Sequence, residues 1–264
     1  MNLINDILSE CKEIYDSRNI LRSLVIKNLI GRYKNSILGF LWNFIFPIVM
    51  LIVYYIVFTQ IRISNIEFFW IYISSAIFPF NFMVSNLTSG SGCIVSNAGM
   101  VKKIYFPREI IVISQVISSF IVMLMGYSIV LVAVVVSGYK VGWILLMLPV
   151  MFIILVMFTL GFTMVVSALT VYVRDVQYFL SSISMVFFFM TPMYFTTDSV
   201  DGLLGTIIQI NPFTYFVEAF HEIVYYVEMP SLVCIVICVA LSLLSFIIGV
   251  SVFSKLKKGF AERL

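Results

Sequence analysis

Glu218 and Glu222 stand four residues apart with His221 between them, in the stretch FTYFVEAFHEIVYYV. On a helix that spacing puts both carboxylates on one face. A carboxylate pair beside an imidazole is the constellation of general acid and base catalysis, although a helix lying at a membrane interface needs a polar face in any case. Cys234 and Cys238 repeat the spacing, but no His or acidic residue accompanies them as a metal site would require. Packing as small apolar groups accounts for them. With Cys11 and Cys93 they suggest no disulfide framework. Trp42, Phe46, Met50, Tyr54 and Phe58 follow one another at steps of four, and Tyr178, Phe179 and Phe187 to Phe189 form a second aromatic group. Such rings serve as interfacial anchors and packing surface, or as a polarisable wall along which sugar rings stack and slide.

The elements that must position these residues are set by a membrane. Residues 35–61 carry no charge and follow a basic segment, and about 20 apolar helical residues cross a hydrocarbon core about 30 Å thick. Hydrophobic residues make up 62% of the chain and charged ones 11%, with mean hydropathy +1.10. Soluble domains carry about 25% charged residues. Charged residues divide the chain into six long windows, 35–61, 68–101, 110–139, 141–173, 176–197 and 229–254. We place spans at about 39–61, 67–90, 110–136, 143–170, 177–196 and 231–253. The fold class is therefore all-α and integral to the membrane. A tail with an amphipathic helix occupies 1–38, the six-helix domain 39–254, and a closing tail 255–264.

An even number of spans puts both termini on one side. Of the 16 Lys and Arg residues, all but Arg62 and Lys140 fall on the terminus side. The positive-inside rule makes that side cytoplasmic. The net charge of +3 is thus a topology signal and gives no reason to expect nucleic acid. The start, MNLINDILSECKEIYDSRNI, lacks the pattern of a cleaved signal peptide, so the first span is expected to direct insertion and the N-terminus to be kept.

Three segments outside the spans carry further expectations. From Ile20 to Lys34, Ile20, Leu21, Leu24, Val25 and Leu29 fall on one side, and Arg22, Lys27, Asn28 and Arg32 on the other. This predicts an amphipathic surface helix, either a juxtamembrane anchor drawn to anionic lipid or part of a partner interface. The loop 91–109 sets Lys102 and Lys103 beside Ile104, Tyr105 and Phe106, with Pro107 breaking the chain before span three. Exposed apolar residues next to charges mark a docking surface. Between spans five and six, two apolar pieces too short to cross flank Asn211 and Pro212. They predict a re-entrant or interfacial helical hairpin on the external face.

Two absences narrow the mechanism. Ionisable residues are essentially missing from mid-span, where each costs about 2.5–3.5 kcal/mol and usually marks an ion or proton path, which disfavours ion-coupled transport. The sequence also lacks the GxxxxGK[ST] phosphate loop. Energy for pumping is expected from a partner.

Four segments in order, RYKNSILGFLWNFIFPIVMLIVYYIVF, NAGMVKKIYFPREI, LTVYVRDVQYFLSSISMVFFFMTPMYF and NPFTYFVEAF, with the closing FSKLKKGFAERL, resemble the membrane subunits of type 2 ABC exporters for polysaccharides. These permeases move O-antigen, teichoic acid or related lipid-linked glycans. The resemblance implies a homodimer of six-helix subunits docked on two cytoplasmic ATPase subunits in the bacterial cytoplasmic membrane. ATP and Mg would be held by the partner and no cofactor by this chain. Asn97, Ala98, Gly99, Met100, Val101, Lys102 and Lys103 would form the coupling helix. Arg22, Lys27, Arg32 and Tyr33 would lie on the entrance helix. Trp42, Phe46, Tyr54, Phe58, Tyr178, Phe187, Phe188 and Phe189 would line the translocation path. Asn211, Pro212, Glu218, His221 and Glu222 would form an external gate. Arg174 and Asp175 match the family's VRD turn, which a salt bridge closing a helix end would also explain. His221 departs from the pattern, since relatives often carry Arg after EAF. Three rival readings are a drug or lipid exporter of the same superfamily, a stand-alone membrane enzyme using Glu218, His221 and Glu222, and a passive scaffold.

Overall fold

The computed structural model describes residues 12–31, 36–60, 66–103, 105–197, 200 and 202–264, and among them every regular element is helical. Helix α1 (Arg18–Gly31) precedes α2 (Trp42–Gln60), α3 (Phe69–Thr88) and two short helices, α4 (Cys93–Ser96) and α5 (Ala98–Lys103). Then come α6 (Glu109–Val136), α7 (Leu148–Tyr172) and α8 (Asp175–Phe189). Helices α9 (Gly202–Ile210) and α10 (Pro212–His221) form a hairpin, followed by α11 (Leu232–Leu256) and α12 (Phe260–Arg263). Each charge-free window of the sequence holds a helix. Those of α6, α7 and α11 are long and apolar enough to cross a membrane.

Helix α3 is the axis of the bundle. Fifteen of its 20 residues, from Phe69 to Leu87, are buried, and it packs against α2, α6, α7, α8 and α10. Its polar residues are bonded internally, as Ser74 Oγ donates to the Trp70 carbonyl at 2.6 Å and Asn86 Nδ2 to the Phe82 carbonyl at 2.8 Å. A helix enclosed by other helices has no water to satisfy such groups, so the chain's own carbonyls do it.

Helices α7 and α11 form the closest pair. A Cβ built on Gly161 would collide with the backbone of Ser245, and one on Gly249 with the backbone of Gly161. Ser242 and Ser245 hydroxyls cross the seam to the Ile154 and Phe158 carbonyls, both at 2.9 Å. Lipid tails are as apolar as leucine, so helices in a bilayer associate through such close backbone approach and hydroxyl bonds more than through the hydrophobic effect.

Two apolar cores hold the two ends. The larger joins α3, α6 and α7 to the hairpin through Phe80, Tyr127, Phe158, Phe216 and Phe220. Cys234 and Cys238 are buried within it. The smaller joins Leu24 of α1, Ile94, Val101, Phe106, the first turns of α6, and Phe253 and Phe260 near the C-terminus. Phe260 is fully enclosed, so the segment read from sequence as a closing tail is folded against the bundle.

Helix α8 differs from the predicted span of 177–196. It has 15 residues, about 22 Å at 1.5 Å per residue, and ends just before Thr191 and Pro192. Proline has no N–H and disfavours helix at the residue before it. The carbonyls released at this break are taken up by the hairpin, as described below.

Candidate functional site

At the end of the bundle that carries the C-terminus, α1 and α5 meet. Leu24 is buried while Arg22 and Lys27 are exposed, as the amphipathic pattern requires. Lys27 Nζ donates to Asn97 Oδ1 at 2.8 Å, and Asn97 Nδ2 donates to the Cys93 carbonyl at 2.8 Å. Asn97 thus ties α1 to the start of α5. Val101 anchors α5 in the smaller core with Met100 packed beside it, Ala98 is half-buried, and Gly99, Lys102 and Lys103 are exposed. Of the apolar trio expected on the surface, Tyr105 is 97% exposed but Phe106 is 7% exposed and belongs to the core. Pro107 turns the chain inward there, and residue 104 lies outside the described residues. Arg32 and Tyr33 also lie outside them.

The aromatic residues divide by environment. Trp42 and Phe46 are exposed and border a cavity of about 200 Å³ against Phe78, Asn81 and Phe82 of α3. Tyr178 and Phe189 are exposed on α8, which buries none of its residues. Phe187 packs edge-on against Phe213 at 4.7 Å, and Phe188 lies 6.1 Å from Phe80. Tyr54 is half-buried against the larger core. The side chain of Phe58 lies outside the described ones. Arg174 and Asp175 are exposed, with Asp175 in the first turn of α8, where a carboxylate offsets the helix dipole.

At the opposite end, the hairpin is built on Asn211 and Pro212. Asn211 caps α10 by accepting from the Phe213 amide at 3.0 Å, and Pro212 occupies the first helical position, where its missing N–H costs nothing. The Asn211 amide donates to the Met190 carbonyl at 3.2 Å and to Thr191 Oγ1 at 2.9 Å. The cap of α10 therefore also closes the break after α8.

His221 completes that closure. Its ring is 2% exposed and stacks on Tyr72 with centroids 3.8 Å apart. Nε2 faces the Pro192 carbonyl at 3.2 Å and must carry the ring proton. Nδ1 lies 2.9 Å from Ser75 Oγ, whose one hydroxyl proton also has the Tyr72 carbonyl as an acceptor at 2.7 Å. Burial holds the imidazole down at about 3, so it is neutral near pH 7. Both nitrogens are committed to structure, which removes the base from the acid/base constellation that the spacing suggested.

Glu218 and Glu222 border a cavity of about 640 Å³, with Tyr72, Thr197, Tyr226 and Glu228. Thr197 Oγ1 donates to Glu218 Oε1. The chain after Glu222 widens into a π turn (Glu222–Tyr226) ended by Val227 in the left-handed region, φ 57°, a costly conformation for a β-branched residue. Glu222 Oε2 is buried without a hydrogen bond, and burial followed by the neighbouring Glu218 charge raises its pKa. An acid raised in the fold loses stability as pH climbs above its ordinary value. Glu222→Gln is therefore expected to unfold at a higher temperature than wild type at pH 8 and at the same temperature below about pH 4, where the glutamate is protonated in either state. Paired melting curves at the two pH values check this.

Among the described residues no group of three His, Cys, Asp or Glu side chains is arranged to hold a metal ion. Sequence reasoning did not find Ser75, Tyr72 and Pro192 as partners of His221. The signal within reach was the Thr191–Pro192 break inside an otherwise apolar window.

Comparison with known proteins places this geometry. Residues 20–225 match the family described as ABC-2 type transporter. The O-antigen export system permease protein RfbA of Myxococcus xanthus is 26% identical over 255 residues, covering 96% of this chain and 98% of that protein. An O-antigen export system permease protein RfbA of Klebsiella pneumoniae is 28% identical over 252 residues, covering 93% and 95%. The match takes in α1, the α5 loop, the helices between and the hairpin up to Tyr225, so the chain belongs to the ABC-2 type transporter family.

Proposed function

We propose that this chain is the permease subunit of an ATP-driven exporter that moves a lipid-linked polysaccharide of the O-antigen type across the bacterial cytoplasmic membrane. The observation that carries the cargo is the end-to-end likeness to permeases named for O-antigen export, in which neither chain has a large unmatched part. In this reading both termini are cytoplasmic and all six windows cross, α8 with help from the irregular residues that follow it. Two copies pair, and two ATPase subunits bind and split the nucleotide with its Mg.

The parts divide as follows. The exposed Gly99 corner of α5 seats on the ATPase. The Lys27–Asn97 hydrogen bond carries its movement to α1 at the cytoplasmic entrance. Helices α2 and α8, whose outward faces are apolar and uncovered in the single chain, line the path between the two copies, where Trp42, Phe46, Tyr178 and Phe189 offer rings to passing sugars. The α9–α10 hairpin closes the external end. Nucleotide can shift this assembly only by the difference in its affinity for the two states.

A strain lacking this chain tests the reading. A lipid-linked glycan is expected to accumulate several-fold inside the cell while one surface polysaccharide disappears, and the trapped sugars identify the cargo. An unchanged glycan profile, with loss of export of a small amphiphile instead, would overturn it.

A further inference from the structure

A cavity of about 540 Å³ opens at the C-terminal end of the bundle, between the last turn of α5, the loop into α6 and the segment after α11. Lys102, Lys103, Arg108, Lys257 and Lys258 line it, and Glu13 is the carboxylate among its lining residues. Glu109 lies nearby, but its Oε1 is held by Lys257 Nζ at 2.7 Å. The excess of positive charge around one hollow is assembled by tertiary structure, since residues 102–108 and 257–258 are far apart in the chain. Arg108 donates to the Lys257 carbonyl, and its guanidinium lies 6.0 Å from the ring centroid of Phe260. Phe106 and Phe260, both buried in the smaller core, pull the two segments together. The Tyr172 hydroxyl fixes the Leu256 carbonyl at 3.0 Å. Cations gathered around one hollow repel one another when less than about a Debye length of 8–10 Å separates them, so a hollow lined by five of them and one carboxylate is suited to an anion.

The depth of the cavity says which anion. Arg108 immediately precedes the 28-residue α6, and Lys257 immediately follows the 25-residue α11. Both helices are apolar enough to cross a membrane. In the membrane topology of the proposed function, on which this inference rests, the cavity lies where those helices leave the hydrocarbon, at the level of lipid phosphates. Tyr105 at its rim is 97% exposed, which suits an amphipathic ring at that boundary. We propose that this cavity is a binding site for the phosphate group of a membrane lipid. The Arg108 fork and the lysine ammonium groups supply charge-assisted hydrogen bonds to phosphate oxygens, and the volume falls within the range of small-ligand sites.

The test uses the purified full-length chain in detergent, titrated with short-chain phosphatidylglycerol, short-chain phosphatidylcholine and inorganic pyrophosphate, with bound ligand read by native mass spectrometry. Phosphatidylglycerol is expected to bind more tightly than phosphatidylcholine. The double variant Lys102→Gln/Lys258→Gln, which changes two exposed side chains, is expected to lose about ten-fold in affinity, the effect of about 1.4 kcal/mol of charge-assisted contact. Lys140→Gln, beyond the far end of α6, is expected to bind as wild type. Competition by pyrophosphate would place the specificity in the phosphate group itself and admit a diphosphate-linked lipid. Its failure to compete would place the specificity in the phospholipid headgroup. Equal phosphatidylglycerol affinity in the double variant and Lys140→Gln overturns the proposal.

Discussion

Gly161→Leu is expected to leave almost no folded protein. The position faces the Ser245–Phe246 backbone, and the Gly161 carbonyl in turn blocks any side chain at Gly249. The obstacle at Gly161 is peptide backbone, which a rotamer change cannot move. Relief would require parting α7 and α11, which would stretch the 2.9 Å hydroxyl bonds from Ser242 and Ser245. Overpacking costs about 1–3 kcal/mol where side chains yield, and this change falls at or above the upper end. A total stability of about 5–15 kcal/mol leaves little margin, and insertion of α11 is at stake as well. The measurement is the monodisperse yield after solubilisation, with Gly31→Ala as control because nothing lies within 4 Å of that glycine. A normal yield of Gly161→Leu would mean that the two helices are farther apart than a glycine contact requires.

The second large effect is expected at His221. Replacing it with Ala removes the stack on Tyr72 and both ring hydrogen bonds, to Ser75 and to the Pro192 carbonyl. It also leaves a hollow in a core that has no slack. Aromatic-to-alanine changes in such places cost about 3–5 kcal/mol. His221→Phe keeps the ring and forfeits the two bonds, for about 1–3 kcal/mol. The two variants separate structure from chemistry. If His221 were a catalytic base, both would be equally dead in transport. As a clamp, Phe should retain part of the export and Ala little. The pH dependence gives a further readout. The folded imidazole titrates near 3 and the unfolded one near 6.5. Wild-type stability contributed by this residue is therefore complete above about pH 6.5 and declines as pH falls below it, because the unfolded chain takes up the proton first. His221→Phe should flatten that acid limb, and an unaltered limb would mean that the ring is solvated.

The His221 prediction rests on the break after α8, which shows why part of the site escaped the sequence. The window 176–197 is charge-free, and hydropathy counts Met190, Thr191, Pro192 and Met193 as span. What ends the helix there is Pro192, and what makes the ending tolerable is Asn211 and His221 from the hairpin. A local pattern registers the proline but cannot register partners about 20 to 30 residues further on. The acid/base spacing of Glu218, His221 and Glu222 is open to the same objection. Spacing of four fixes a helical face, and only packing says whether that face meets water or Tyr72.

The sequence by itself determined that this is a helical membrane protein, where its charge-free windows run, and which face of α1 turns inward. Those properties depend on the transfer free energy and periodicity of residues close together in the chain, and Leu24 lies buried where the pattern placed it. Only the tertiary structure decided that Phe106 is core while Tyr105 is surface, that Gly161 and Gly249 are contact points, and that His221 is a clamp. It alone brought Arg108 and Lys257 together around one hollow. Each of these depends on which distant segment arrives within bonding distance, and hydrophobicity is too non-directional to encode that in any single stretch.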